Sequence, residues 1–168
     1  VYSSLNAIIN STPKDIAVCC CFDNEEVGSE TKQGAASNIL STLLRKINRA
    51  FMKNDDDFTF ATENGVLLSS DNAHAVHPSF PEKSDVTEKV YLNKGVVIKH
   101  HVNYSTDALS SAVVKTLLKN ENIEVQDYYN NSDVRCGSTI GLVTSADLNM
   151  NACDVGIAQL AMHSGGET

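Results

Sequence analysis

The chain has 168 residues, a length that suits one domain with a sizeable core. Its 42% hydrophobic content excludes a disordered chain, and a net charge of −8 argues against nucleic acid or an anionic membrane as partner, since both require a basic face. No apolar run is long enough to span a membrane.

In chain order, residues 1–10 are compatible with a helix carrying Leu5, Ile8 and Ile9 on one side. The chain opens on Val1 as if that helix were already under way, so a portion of a longer protein is expected. After a break at "STP", residues 15–22 (DIAVCCCF) form a continuous apolar run, which predicts a strand covered on both faces. Residues 34–53 predict an amphipathic helix with Ile39, Leu40, Leu43, Leu44, Ile47 and Phe51 as its stripe. "KNDDD" (53–57) reads as a solvated loop or a helix start. "GVLLSSD" (65–71) predicts a second strand, residues 78–91 a loop, and "GVVIKHH" (95–101) a third strand. Residues 106–119 predict a helix with Leu109, Val113 and Leu117 as its stripe and Thr106 or Asp107 as cap. "NIEVQDYY" predicts a short strand. "STIGLVTSADLN" predicts a helix opened by Gly137 and Ser138, and "ACDVGIAQLAMHS" a last strand followed by a polar loop. Strands alternating with helices predict an α/β three-layer sandwich with a mostly parallel sheet.

Five cysteines are present, Cys19, Cys20, Cys21, Cys136 and Cys153, and no CxxC pair, which argues against a zinc ribbon or a thioredoxin-type motif. Buried free thiols in a reducing cytoplasm are expected.

Functional groups in open α/β sheets collect at the carboxyl ends of strands. The first apolar run ends in Asp23, Glu25 and Glu26. The second ends in Asp71, followed by His74 and His77, and the last leads into His163. Carboxylates and imidazoles converging on one rim suit a divalent metal such as zinc. Adjacent acids can divide the work, one holding metal and one taking the proton of an activated water. Each element also has a plainer reading. Two glutamates after a strand commonly begin a turn, Asp71, His74 and His77 could form one capped helical turn, and His163 alone could be a loop histidine. His100 and His101 point to opposite strand faces and neither is assigned to the site.

Several segments resemble the aspartyl aminopeptidase family of metallo-aminopeptidases: "FDNEEVGSETKQGA" (22–35), "SSDNAHAVHP" (69–78), "LNKGVVIK" (92–99), "RCGSTIG" (135–141) and "DVGIAQLAMHS" (154–164), in the family's order. The resemblance implies a dinuclear Zn2+ centre on an α/β peptidase fold and removal of N-terminal Asp or Glu from short peptides. By position, Glu25 resembles the general base, and Glu26, Asp71 and His163 resemble metal ligands. His74 resembles a histidine close to substrate. Lys94 and Lys99 lie in a segment associated with the substrate pocket, Lys99 as a partner for an acidic side chain. Gly137, Ser138 and Thr139 resemble a backbone stretch lining the cleft. The family also uses a His ligand, a bridging Asp and a dimerisation domain that lie upstream, so residues 1–168 are expected to be the C-terminal part of a catalytic domain. Large closed homo-oligomers in the cytoplasm are implied as well. Two departures stand out, Ser70 where Ala is usual and "GGET" after "MHS".

Two rivals stand beside this reading. One is a non-catalytic portion that keeps the signature but lacks the upstream donors. The other is a two-metal aminopeptidase with neutral specificity.

Overall fold

The computed structural model describes residues 1–166. Helix α1 (Tyr2–Asn10) is followed by α2 (Ile39–Ala50), α3 (Asp55–Glu63), strand β1 (Val66–Ser70), β2 (Ala73–His74), β3 (Val96–His100), α4 (Ala108–Asn120), β4 (Val125–Tyr129), α5 (Gly141–Leu148) and β5 (Asn151–Gln159). The sheet runs β1-β5-β3-β4, with β2 continuing along β5. β5 is parallel to β1 and β2 and antiparallel to β3, while β3 and β4 are parallel. The mostly parallel α/β sheet therefore stands. No helix among the described residues is long and apolar enough to cross a membrane.

Strand alternation divides the core. Val97 faces Ala73, Ala75, Val90 and Ala158, under β2 and the loop that follows it. Its neighbour Ile98 faces Val114 of α4 and Cys153 on the other side. Both are fully buried, each contributing about 1.5–3 kcal/mol from apolar transfer. A third cluster, Leu40, Phe58 and Leu148, joins α2, α3 and α5.

Local chemistry explains several boundaries. "KNDDD" is a helix start: the Asn54 side chain accepts from the Asp57 N–H, and the Asp57 carboxylate accepts from the Asn54 N–H, closing a capping box. Asp107, rather than Thr106, caps α4 in the same way with Ser110. Helix α5 starts at Gly141 and not at Gly137: Gly137 and Ser138 border the cleft described below, and Thr139 is buried with its hydroxyl on Asp154.

Four expectations are corrected. Residues 15–22 form no strand: Ile16 is 88% exposed and Val18 56%. A strand is stable only when its N–H and C=O groups find a ladder partner, and none of the described strands pairs with this run. Consequently Cys20 and Cys21 are exposed and Cys19 is half-buried, so of the five free thiols only Cys153 is fully buried. On α2, Leu40 is buried and Leu44 packs beside it, but Ile39, Leu43, Ile47 and Phe51 remain exposed. On α4 the buried line is Ser110, Ser111 and Val114, with Leu118 packed below, whereas Leu109, Val113 and Leu117 face outward. Small serines let α4 sit close on the sheet, so the interface runs along a face that apolar periodicity does not mark.

Candidate active site

A cleft of about 520 Å³ opens on the face of the sheet that carries β2. Asp71 follows β1, and its N–H donates to Val155 O at 3.0 Å, which extends the ladder by one residue. That crossing requires Gly156, because a Cβ there would lie 2.1 Å from Asp71 O. Glu25 and Glu26 lie on a short 3-10 turn, Glu25–Val27. Asn24 enters the turn with φ 58°, and its side-chain amide donates to Thr31 Oγ1 at 2.8 Å, which fixes the acids' backbone.

These acids border the cleft together with His74, Lys99, Gly137, Ser138 and His163. Eight of the ten site residues expected from sequence thus meet in one place, while Thr139 is buried behind the lining with its hydroxyl on Asp154. Lys94 does not: it is exposed, just before the start of β3, and is absent from the cleft lining.

The electrostatics of the rim are uneven. Lys99 Nζ donates to Asp71 Oδ2 at 2.9 Å, with the lysine side chain only 4% exposed. His163 Nδ1 lies 3.8 Å from Glu26 Oε1, and both side chains are open to solvent. Burial pushes the Glu25 carboxyl above the usual range, and the negative charges of Glu26 and Asp71 add to the rise. Burial holds the His74 imidazole below its ordinary value, assisted by the Lys99 charge. The two shifts run in opposite directions, raising the proton affinity of Glu25 and lowering that of His74.

The donor chemistry, two carboxylates and an imidazole, suits zinc, and Glu26 with His163 is the nearest approach to a ligand pair. Among the described residues, however, no three His, Cys, Asp or Glu side chains converge to hold a metal ion. The expected trio of Glu26, Asp71 and His163 shares the cleft without forming a closed site.

The cleft wall is stitched from two loops. Asp154, fully buried on β5, accepts from the Ser105 N–H and the Ser105 hydroxyl, both at 2.6 Å, and from the Thr139 hydroxyl. Its own N–H donates to Thr106 Oγ1 at 2.8 Å. Above it, Asn103 Nδ2 donates to Cys136 O at 3.2 Å. This joinery places Tyr104 beside Gly137 and Ser138, with Lys99 Nζ 5.5 Å from the Tyr104 ring centre. Burial, then the hydrogen bond with Cys136, raises the Tyr104 phenol, and burial pushes Tyr128 up to about 12. Both remain neutral walls.

The whole chain, residues 1–168, matches the family described as aminopeptidase I zinc metalloprotease (M18). The chain belongs to the M18 aminopeptidase family. It is 44% identical over 167 residues to "Probable M18 family aminopeptidase 2" of Clostridium novyi (strain NT), covering 98% of this chain and 39% of that protein. It is 34% identical over 173 residues to "Probable aspartyl aminopeptidase" of Ricinus communis, covering 97% and 35%. The M18 chain therefore spans about two fifths of the length of the curated relatives it matches. An M18 aminopeptidase crystal structure from Thermotoga maritima superposes with TM-score 0.86 at 25% identity, over 99% of this chain and 39% of that one. The S. cerevisiae mApe1 dodecamer superposes with TM-score 0.73 at 31% identity, over 85% and 32%.

Sequence reasoning on this M18 chain missed Lys83, Tyr104, Tyr128 and Arg135, all of which line the cleft. Tyr128 sits near the end of an expected strand, which gives a weak signal, whereas Tyr104 falls between the expected strand at 95–101 and the expected helix at 106–119. Lys83 ends a short 3-10 turn, Pro81–Lys83, and Arg135 lies in a loop, and only the fold brings both to one cleft.

Proposed function

We propose that this chain is the C-terminal part of the catalytic domain of a zinc aminopeptidase that removes N-terminal Asp or Glu from short peptides. The observation that carries the reading is the gathering of Glu25, Glu26, Asp71 and His163, drawn from separate segments, around one cleft floored by Lys99. Family membership and the name of the Ricinus communis relative support the same reading.

Glu26, Asp71 and His163 are the side chains of this chain that would hold zinc, completed by donors from the rest of the protein. Bound there, zinc supplies Lewis acidity toward water and the scissile carbonyl. Glu25 takes one proton from the attacking water as its oxygen bonds to the carbonyl carbon. The C–N bond then breaks, and Glu25 returns that proton to the leaving amine. Its raised proton affinity suits both halves of the exchange. Lys99, as the buried cation of the floor, attracts an acidic first side chain, and neutral His74 offers a hydrogen bond beside it. The open Gly137–Ser138 backbone presents small residues against which a peptide can lie closely. A homo-oligomer, in keeping with the dodecameric relative, and a cytoplasmic setting belong to the same proposal.

The second reading, a portion inactive by itself for lack of the upstream His ligand and bridging Asp, draws on the chain's span of about two fifths of its relatives. The two are separated by comparing this chain with the complete enzyme. The complete enzyme should hydrolyse Asp- and Glu-terminated peptides faster than Leu-terminated ones, and Glu25→Gln should remove activity while zinc content stays near that of the parent. Near-full activity of Glu25→Gln would overturn the role given to Glu25, and equal rates on Leu would overturn the acidic specificity.

A further inference from the structure

Two cations in the cleft have no part in the chemistry above. Lys83 and Arg135 both line it, and both are exposed. The ion pairs formed among the described residues involve neither of them. Their shared place on the cleft wall is built rather than accidental, and Lys83 Nζ also lies 5.0 Å from the centre of the Phe80 ring. Asn131 Nδ2 donates to Glu82 O at 2.9 Å and to Ser84 O at 3.0 Å, clamping the loop on both sides of Lys83. Ser84 and Asn130 form an antiparallel bridge, and Val134 N donates to Asn131 O at 3.0 Å, turning the chain back toward Arg135. Two loops almost fifty positions apart are thus tied so that each brings one cation to the same cleft.

Their place in the sheet sets them apart from the acids. Asp71 leaves β1 and His163 follows β5, whereas Arg135 follows β4 and Lys83 is clamped against the residues just after β4. From β5 to β4 is two strand spacings, roughly 10 Å, and from β1 three, roughly 14 Å. An extended peptide advances roughly 3.3 Å per residue, so this span covers about three or four residues. In a chain carrying net charge −8, two unpaired cations at that remove favour an anion.

We propose that Lys83 and Arg135 form a carboxylate-binding subsite for the part of the peptide beyond the scissile bond. The inference rests on the aminopeptidase reading, which sets the amino terminus at the Glu25 end and sends the following residues toward β4. The carboxylate comes either from the C-terminus of a short peptide or from an acidic side chain about two residues past the cleaved bond.

The test uses the complete, zinc-loaded enzyme and two pairs of peptides. Asp-Ala-Ala-Ala is compared with its C-terminal amide, and Asp-Ala-Asp-Ala amide with Asp-Ala-Asn-Ala amide. The expected result is a 5- to 20-fold higher kcat/KM for the charged member of at least one pair, and the pair that responds identifies the source. In Lys83→Met/Arg135→Met the preference should fall below twofold, and Arg135→Glu should reverse it. Equal handling of charged and neutral peptides by the parent enzyme, or a preference that survives the double substitution, overturns the subsite. If no peptide is cleaved, the aminopeptidase reading fails separately. Calorimetric affinities for the same four peptides then decide the subsite by the same ratios.

Discussion

Lys99 and Asp71 meet at 2.9 Å, with the lysine buried and the aspartate 43% exposed. An ammonium enclosed by protein needs that carboxylate more than the half-solvated carboxylate needs it. Asp71→Asn is therefore expected to lower stability by about 1–3 kcal/mol, since one partner of a largely buried charge-assisted bond is removed. Lys99→Met preserves most of the side-chain volume and is expected to cost less. It also frees Asp71, so zinc affinity should rise by about tenfold if Asp71 is a ligand. Urea denaturation reads the first effect and isothermal titration with zinc the second. Unchanged zinc affinity in Lys99→Met would remove Asp71 from the ligand set.

Away from the cleft, Asp127 accepts from Lys115 Nζ and pairs with His100 Nε2 at 2.7 Å, and His100 stacks on Tyr129. Burial acts to raise the Asp127 carboxyl, but the bonds from Lys115 and His100 outweigh it and hold the group below its ordinary value. A depressed carboxyl contributes stability above its unfolded value and loses it as pH falls through the folded one. Asp127→Asn is thus expected to cost about 1 kcal/mol at pH 7, a deficit that shrinks as pH falls below the unfolded carboxyl range and through the depressed folded value. Thermal melts over an acid pH series check this, and a deficit that does not shrink as pH falls would show a loss of packing instead.

What was legible in the sequence followed physical locality. The α/β alternation and the strands near 66–70, 96–100, 125–129 and 151–159 depend on short runs of residues, and they agree with the structure. The α4 stripe did not, because periodicity reports that a helix has a face without reporting which face meets a partner; here Ser110 and Ser111 do, and Leu109 and Leu117 do not. The run at 15–22 reads as a strand from composition, yet a ladder needs a second chain segment that composition does not supply. Lys94 and Lys99 look equivalent in "LNKGVVIK", but the direction of β3 carries only Lys99 into the cleft. Lys83 and Arg135 depend on bonds from Asn131 to the loop around residues 82–84, a relation invisible to any local pattern.

Asp154 is 0% exposed and has no ion-pair partner among the described residues, so the donors from Ser105 and Thr139 satisfy its carboxyl group. Asp154→Ala would leave a buried N–H and two hydroxyls unsatisfied, an expected cost of about 3–5 kcal/mol. Asp154→Asn keeps the shape and can reorient the hydroxyl donors, so about 1–2 kcal/mol is expected. Gly141→Ala should resemble the alanine variant, because the new Cβ would lie 2.6 Å from one Asp154 oxygen and 2.7 Å from Ser105 Oγ. Hydrogen exchange should quicken over residues 103–106 and 136–140 before it does in β1. Uniform quickening would mean that the carboxylate supports the fold without tying these two loops in particular.

Gly156 offers the most local test of how the acids reach the cleft. A Cβ at this position would meet Asp71 O at 2.1 Å and Asn72 Cα at 3.1 Å, and these are backbone atoms that cannot swing aside as a side chain could. Gly156→Ala must push the Asp71–Asn72 segment off β5, stretching the bond from Asp71 N to Val155 O. A stability loss of about 2–4 kcal/mol is expected, in the range of overpacking and a lost ladder bond. The displacement should also part Asp71 from Lys99 and weaken zinc binding by the complete enzyme at least tenfold. A variant that loses stability yet keeps full zinc affinity would place Asp71 outside the metal's ligands, because the same backbone shift cannot leave that carboxylate where it was.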